Sequence, residues 1–248
     1  MKKSTIATIV KVTALIGMAV YFIFALVVLN QKDESMVCRH LVVCIDDPMH
    51  TGFVTENEVR AMLISEEEFP EGQSIDSISI TRMERVLRSN PYIDEAHVHY
   101  TAEGDMVLTL TPRTPVLHVL DAQGRDYYLD NHGDRMPRGY HTSNLLVLTG
   151  HVDSIAAGPL YVPVALRLAA DSFWTAQVQE MHINHRGDIE LTPRVGGHII
   201  ELGDTSHLDN KLARMQIFYR EAVSRTGWDK YSRISLKYDG QIVCTRRD

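Results

Sequence analysis

The sequence predicts an α+β fold: one N-terminal membrane helix, a small β-α-α-β-β unit, and a longer, mainly antiparallel β region carrying two helices. Three observations predict it. An uncharged apolar stretch, Val12–Leu29, stands near the start and has no counterpart elsewhere in the 248 residues. Between Leu41 and Arg113 an apolar run, two helical patterns and two alternating runs follow one another. From Val116 onward, short strand candidates recur with turn residues between them.

The apolar stretch is eighteen residues long, which at a helical rise of about 1.5 Å spans roughly 27 Å, close to the hydrocarbon thickness of a bilayer. Lys2, Lys3, Lys11 and the free amine precede it, and Lys32, Asp33, Glu34 and Arg39 follow. That bias places residues 1–11 in the cytoplasm as a short tail and the body outside. A cleaved signal peptide has a shorter apolar run and a small-x-small exit. Here the exit, Phe24-Ala-Leu-Val-Val-Leu-Asn-Gln31, is bulky, so residues 12–29 read as an uncleaved signal-anchor, with residues 30–40 as a polar tether. A core helix is the poorer reading, because Gly17 and bulky apolar residues lie all round the segment with no polar face.

The chain's net charge is −7, and three lysines lie in its first 29 residues, so residues 30–248 carry −10. An acidic body without a basic stripe is a poor binder of nucleic acid or of anionic lipid. Cys38, Cys44 and Cys244 are odd in number and lie at no metal-ligand spacing, so disulfides are not the framework. Cys44 and Cys244 fall in different predicted regions, which argues against a bridge between them.

Leu41–Ile45, bounded by Asp46, Asp47 and Pro48, reads as a strand. Thr55-Glu-Asn-Glu58 has the form of a capping box, and Val59, Met62 and Leu63 supply one apolar face. A second helix fits Ile80–Arg88, with Ile80, Met83 and Leu87 on a face and Asn90-Pro91 as its stop. Two alternating runs follow: Ala96, Val98 and Tyr100 point one way, then Met106, Leu108 and Leu110 across the turn Glu103-Gly104-Asp105. They predict a hairpin with one buried face. Pro112 and Pro115 bracket a stiff joint.

Beyond it, strands are expected at Val116–Leu120, Asp126–Leu129, Leu145–Leu148, Glu180–Asn184, Asp188–Leu191 and His198–Leu202. Helices are expected near Val164–Thr175 and over Leu208–Arg225. The chain closes with Arg233–Tyr238, the link Asp239-Gly240, and Gln241–Arg246. A two-residue Asp-Gly link predicts a hairpin pairing Tyr238 with Gln241 and Leu236 with Val243. Ile234, Leu236, Tyr238 and Val243 would then share one face, with Lys237, Ile242 and Cys244 on the other.

Catalytic chemistry finds little support. There are twelve histidines. His97 and His99 share a strand face, and His182 and His185 form an H-x-x-H whose rings would leave a strand-turn on opposite sides, wrong for chelating zinc. Ser206-His207 are adjacent, a poor geometry for a nucleophile and its base. No G-x-S-x-G, S-x-x-K, P-loop or G-x-G-x-x-G occurs. No cofactor, metal or enzymatic activity is expected.

Taken in order, several segments resemble the FtsQ/DivIB family of bacterial cell-division proteins. They are the N-terminal crossing, Ile80–Ala96, Leu108-Thr-Leu-Thr-Pro-Arg113-Thr-Pro115-Val116, Tyr127–Asp130 with Gly133, Met136-Pro137, Val147–Gly150, Gly203 near Lys211-Leu212, and Ile234–Tyr238. One departure is visible: many members carry Glu-Arg-x-Pro after the first hairpin, whereas here Pro112 precedes Arg113-Thr-Pro115. The resemblance implies a POTRA domain over residues 41–113 and a β-domain over 114–248. It also implies a non-enzymatic scaffold in the cytoplasmic (inner) membrane at the division septum. Such a scaffold binds coiled-coil FtsB-like and FtsL-like proteins outside the cytoplasm to regulate septal peptidoglycan synthesis. In the family FtsB is bound at the C-terminal strands, so Ile234, Leu236, Lys237, Tyr238, Gln241, Ile242 and Val243 are the implied partner-binding residues. For Ile234, Leu236 and Val243 a core role competes with that one, whereas an exposed Ile242 at a sheet edge would call for a partner. The alternative is a POTRA-containing export or outer-membrane assembly factor, which would carry several such units or a terminal barrel.

Overall fold

The computed structural model describes residues 2–29, 36–48, 52–139, 145–153 and 155–247, with backbone alone at 2–12 and 27–29. The expected tether therefore lies partly outside the described residues. Lys2–Leu29 forms one helix, α1. Its described side chains, 13–26, are almost all exposed, among them Leu15, Tyr21, Phe22 and Phe24. Among the described residues no helix is long and apolar enough to cross a membrane.

The first unit contains β1 (Leu41–Ile45), α2 (Glu56–Ser65), α3 (Ile80–Arg88), β2 (Ile93–Tyr100) and β3 (Met106–Pro112), the order that the sequence predicts. Thr55 caps α2 in a capping box: its hydroxyl accepts from Glu58 N, and Glu58 accepts from Thr55 N at 2.9 Å. Ser79 caps α3, whose Met83 and Leu87 are fully buried. The sheet order is β1-β3-β2, with β1 parallel and β2 antiparallel to β3. Ala96 and Val98 face the core as the alternation predicts. Tyr100, at the strand's end, is instead 55% exposed.

The second unit is one nine-stranded mixed sheet, ordered β12-β11-β10-β9-β8-β7-β4-β5-β6. Its strands are β4 (Pro115–Asp121), β5 (Asp126–Asp130), β6 (Arg135–Pro137), β7 (Leu146–Gly150), β8 (Val178–Ile183), β9 (Ile189–Pro193), β10 (Ile199–Gly203), β11 (Tyr231–Ser235) and β12 (Val243–Arg246). β4–β7, β7–β8 and β10–β11 run parallel and the other pairs antiparallel. One face is packed by α4 (Ala157–Ala169), α5 (Ser172–Gln177) and α6 (Leu208–Phe218), through Tyr161, Leu168, Trp174, Leu212 and Met215. The other face is polar over β9, β10 and β11. There Arg233 joins Glu190 at 2.7 Å to Glu201 at 2.6 Å across three strands.

The helix expected over Val164–Thr175 is in fact two. α4 starts at Ala157 and runs through Pro163, whose missing N–H costs a hydrogen bond that the burial of Tyr161, Val162, Val164 and Ala165 offsets. It stops at Ala169, and Asp171 caps α5 by accepting from Phe173 N at 2.9 Å. The last helix, expected as one, continues from α6 through a π-helical turn, Tyr219–Val223, into a short α-turn, Ser224–Thr226.

The two sheets meet at the joint. Tyr128 and Met136, from β5 and β6, belong to the core of the first unit, and Phe53 meets the Tyr128 ring edge-on at 5.8 Å. Arg113 Nη1 donates to Asp130 Oδ2 at 2.9 Å. Asp130 is fully buried, and its other oxygen accepts from the backbone N–H groups of His132 and Asp134 at 3.0 and 2.8 Å.

Candidate functional site: the C-terminal sheet edge

Among the described residues, β12 ends the nine-stranded sheet and pairs on one side only, with β11. Its outer flank is the kind of edge that accepts a further strand.

The hairpin that builds this edge differs from the one the sequence predicts. The observed partners are Ile234 with Cys244 and Ser235 with Val243, one residue out of the expected register. Because strand side chains alternate, a one-residue slip turns every side chain of β12 to the opposite face. Val243, expected inside, is 44% exposed. Ile242 and Cys244, expected outside, pack against the core from half-buried positions. Ile234 and Leu236 are buried as core residues.

The slip has a visible cause. The link is not a two-residue turn but a loop from Leu236 to Ile242, held by a residue that the sequence did not mark. Arg214 of α6 donates Nη1 to the Tyr238 and Gln241 carbonyls at 3.0 and 3.4 Å, and Nη2 to the Leu236 carbonyl at 3.3 Å. A guanidinium offers five donors in a fixed fork, which suits three carbonyls of one loop. Tyr238 is left 54% exposed at the loop's tip. Lys237 turns to the polar face and meets Asp188 at 2.6 Å. Beside the loop an open groove of about 310 Å³ is lined by Ile217, Phe218, Glu221, Gly240, Gln241 and Ile242.

Polar contacts hold this end of the sheet at both ends of β12. Lys211, itself buried, donates to Asp204 Oδ1 at 2.7 Å and to the Asp204 carbonyl at 2.9 Å, fixing the entry to α6. That contact and the Ser206 hydroxyl bring the Asp204 carboxyl down to about 2. At the far end of β12, Arg247 donates Nη2 to the Gly197 carbonyl at 2.6 Å and N to the Lys230 carbonyl at 3.0 Å. Next to Gly197, the buried His198 meets the Tyr219 hydroxyl at 2.7 Å and stacks on Trp228 at 6.4 Å.

Burial pushes the His198 pKa below its ordinary 6.5, and the Arg247 charge adds to this against the opposing Trp228 carbonyl and Asp229. Its neutral form is therefore the native one. That contribution to stability is complete above about pH 6.5 and is lost as pH falls towards the depressed native value. Thermal midpoints of the wild type should drop more steeply below about pH 6.5 than those of His198→Gln. Parallel curves for the two would remove His198 as the cause.

Among the described residues, no group of three or more His, Cys, Asp or Glu could hold a metal ion. His182 Nδ1 is engaged with the Thr149 hydroxyl at 2.8 Å, while the His185 ring meets His151 at 4.0 Å, tilted by 47°. Cys38, Cys44 and Cys244 are free thiols.

A compact β-α-α-β-β unit feeding a large mixed sheet with an open terminal edge is the architecture of a POTRA-containing α+β protein. Comparison with known families agrees. Residues 36–111 match the model of a POTRA-like domain, and residues 114–245 match the model described as FtsQ/DivIB, C-terminal related. The chain belongs to the FtsQ/DivIB family of cell division proteins. Among its relatives is the cell division protein FtsQ of Salinibacter ruber (strain DSM 13855 / M31). It is 29% identical over 178 residues, which cover 66% of this chain and 68% of the relative.

Proposed function

We propose that the protein is a non-enzymatic scaffold of the division machinery. In this reading α1 anchors it in the cytoplasmic membrane with its body outside and at the septum, and the β12 edge captures an FtsB-like coiled-coil protein. Through that protein and an FtsL-like companion it acts on septal peptidoglycan synthesis. The observation that carries the reading is the edge itself: a one-sided terminal strand flanked by exposed Tyr238 and Val243 and by the Ile217–Ile242 groove. Main-chain bonds along the edge would supply affinity, and the groove and Tyr238 would supply selection.

Charge supports the same place. Residues 208–248 hold nine basic and five acidic residues, the reverse of the acidic remainder of the body. An acidic partner segment would be drawn to this end. Membrane confinement raises the effective concentration of other anchored proteins, so weak individual contacts suffice. Joint and domain division follow the same lines: we place the POTRA unit at residues 41–113 and the β-domain at 114–248.

The test is binding of the body (residues 30–248) to the external part of the FtsB-like protein of the same organism, with Tyr238→Ala alongside. Saturable binding weakened tenfold or more, about 1.4 kcal/mol, is the expected result. Binding that the substitution leaves untouched would move the site away from the edge. No binding at all would overturn the scaffold reading in favour of an export or assembly factor.

A further inference from the structure

We propose that the end of the POTRA-like unit carrying Met36, Val37 and Tyr100 lies in the lipid–water interface of the membrane. This rests on the reading of α1 as a membrane anchor and adds a second contact between the protein and the bilayer.

The chain re-enters the described structure at Met36 and runs between two loops. Met36 O accepts from Ile75 N at 2.8 Å, Cys38 N donates to Gln73 O at 2.9 Å, and Arg39 N donates to Gly104 O at 3.1 Å. Across the sheet Leu41 aligns with Met106, and Met106 with Tyr100. The first residues after the helix and the last residue of β2 therefore occupy one end of the unit, around the turn that contains Gly104. At this end three large apolar side chains face solvent: Met36 at 50% exposure, Val37 at 47% and Tyr100 at 55%. All three sit outside the core; the unit's other exposed large apolar side chains among the described residues, Val42 and Ile64, lie on β1 and α2.

Chain length supplies the occupant. Seven residue steps separate Leu29 from Met36, so even a fully extended chain holds this end within about 25 Å of the end of α1. The bilayer is thus the one apolar phase always within reach, and its high effective concentration lets a small contact area suffice. The side chains fit that phase. Tyr joins an apolar ring to a polar tip, the composition of interfacial belts, and Met and Val can enter the acyl boundary. Charge does not drive the contact, because Arg39 is offset by Glu103 and Asp105 on the neighbouring turn. A neutral bilayer is therefore the partner, and anionic headgroups are not required.

The experiment uses the full chain in phosphatidylcholine vesicles, in a Cys44→Ser, Cys244→Ser background that leaves buried Cys38 in place. Single nitroxide labels go on Ala102→Cys, beside Tyr100 and leaving all three apolar residues intact, on Ile155→Cys, and on Phe22→Cys within α1. Power saturation with oxygen and a water-soluble nickel complex then reports the surroundings of each label. Nickel accessibility at position 102 should be several-fold below that at 155, an 88% exposed isoleucine of the other unit. Adding Val37→Asp and Tyr100→Asp should abolish that protection, and adding phosphatidylglycerol should leave it unchanged. Equal accessibility at 102 and 155, with position 22 in lipid, would overturn the interfacial contact and leave the anchor standing. A water-exposed label at position 22 would overturn the anchor and this inference together. Protection that appears only with phosphatidylglycerol would overturn the apolar account.

Discussion

Replacing Arg113 with alanine will lower the stability of the protein by about 3–5 kcal/mol, the loss expected when one partner of a buried ion pair is removed. Asp130 is fully buried, and Arg113 is the cation that its side chain meets, at 2.9 Å. Without the guanidinium, the carboxylate keeps the His132 and Asp134 N–H groups and, among the described residues, no counter-charge. Arg113 also donates its backbone N–H to the Tyr92 carbonyl at 2.9 Å, so the pair sits where the first sheet hands over to the second. Urea denaturation is the measurement. The midpoint should fall, and Arg113→Ala/Asp130→Ala should be less destabilised than the sum of the single variants. A loss under about 1 kcal/mol would mean that the pair behaves as a surface salt bridge. The position matters beyond stability, because Arg113 stands where the sequence departs from the family's Glu-Arg-x-Pro pattern. Its contact with Asp130 ties the two units together between Pro112 and Pro115.

Much of the first unit was legible because its signals are local. Thr55 and Glu58 lie three apart and make the capping box seen, and the alternation of Ala96 and Val98 reads directly as a buried face. The helix faces of Met83 and Leu87 follow from spacing alone. The second unit resisted where the deciding contact comes from afar. The helix expected from Val164 begins instead at Ala157 and passes through Pro163, because the burial around the proline keeps it continuous. Asp239-Gly240 looked like a two-residue turn, but Arg214, some twenty-five positions earlier, grips the loop and shifts β12 by one residue. Nothing in the local pattern of Ile234–Val243 could reveal that guanidinium. An arginine one turn beyond the buried Lys211, on the face of a helix that packs beside the terminal strands, was the one available hint. Tyr128 is the counterpart at the joint. Its place in an expected strand, Asp126–Leu129, does not reveal that its ring is buried against a different sheet.

The second large effect is expected at Gly150, at the end of β7 in the middle of the nine-stranded sheet. Its φ is +88°, and an added Cβ would stand 2.2 Å from the Ile183 carbonyl oxygen. That oxygen already accepts from His151 N at 2.9 Å, and the Gly150 carbonyl accepts from Ala122 N and Val152 N at 2.8 and 2.9 Å. Neither strand can move aside without giving up these bonds. The left-handed backbone costs a residue with a Cβ about 1–2 kcal/mol, and forced overpacking adds about 1–3, so Gly150→Ala should lose about 2–5 kcal/mol. Thermal melting and urea titration measure it, and a loss below about 1 kcal/mol would show that β7 and β8 separate freely. The variant also sharpens the test of the C-terminal edge. Tyr238 is exposed, and truncating it should change stability by no more than about 0.5 kcal/mol while weakening partner binding. Gly150→Ala should do the opposite: a lower melting temperature, with unaltered affinity in the fraction that remains folded. A sheet that transmits damage from its centre to its edge would erase that contrast. An edge that recognises its partner through its own strand and loop preserves it.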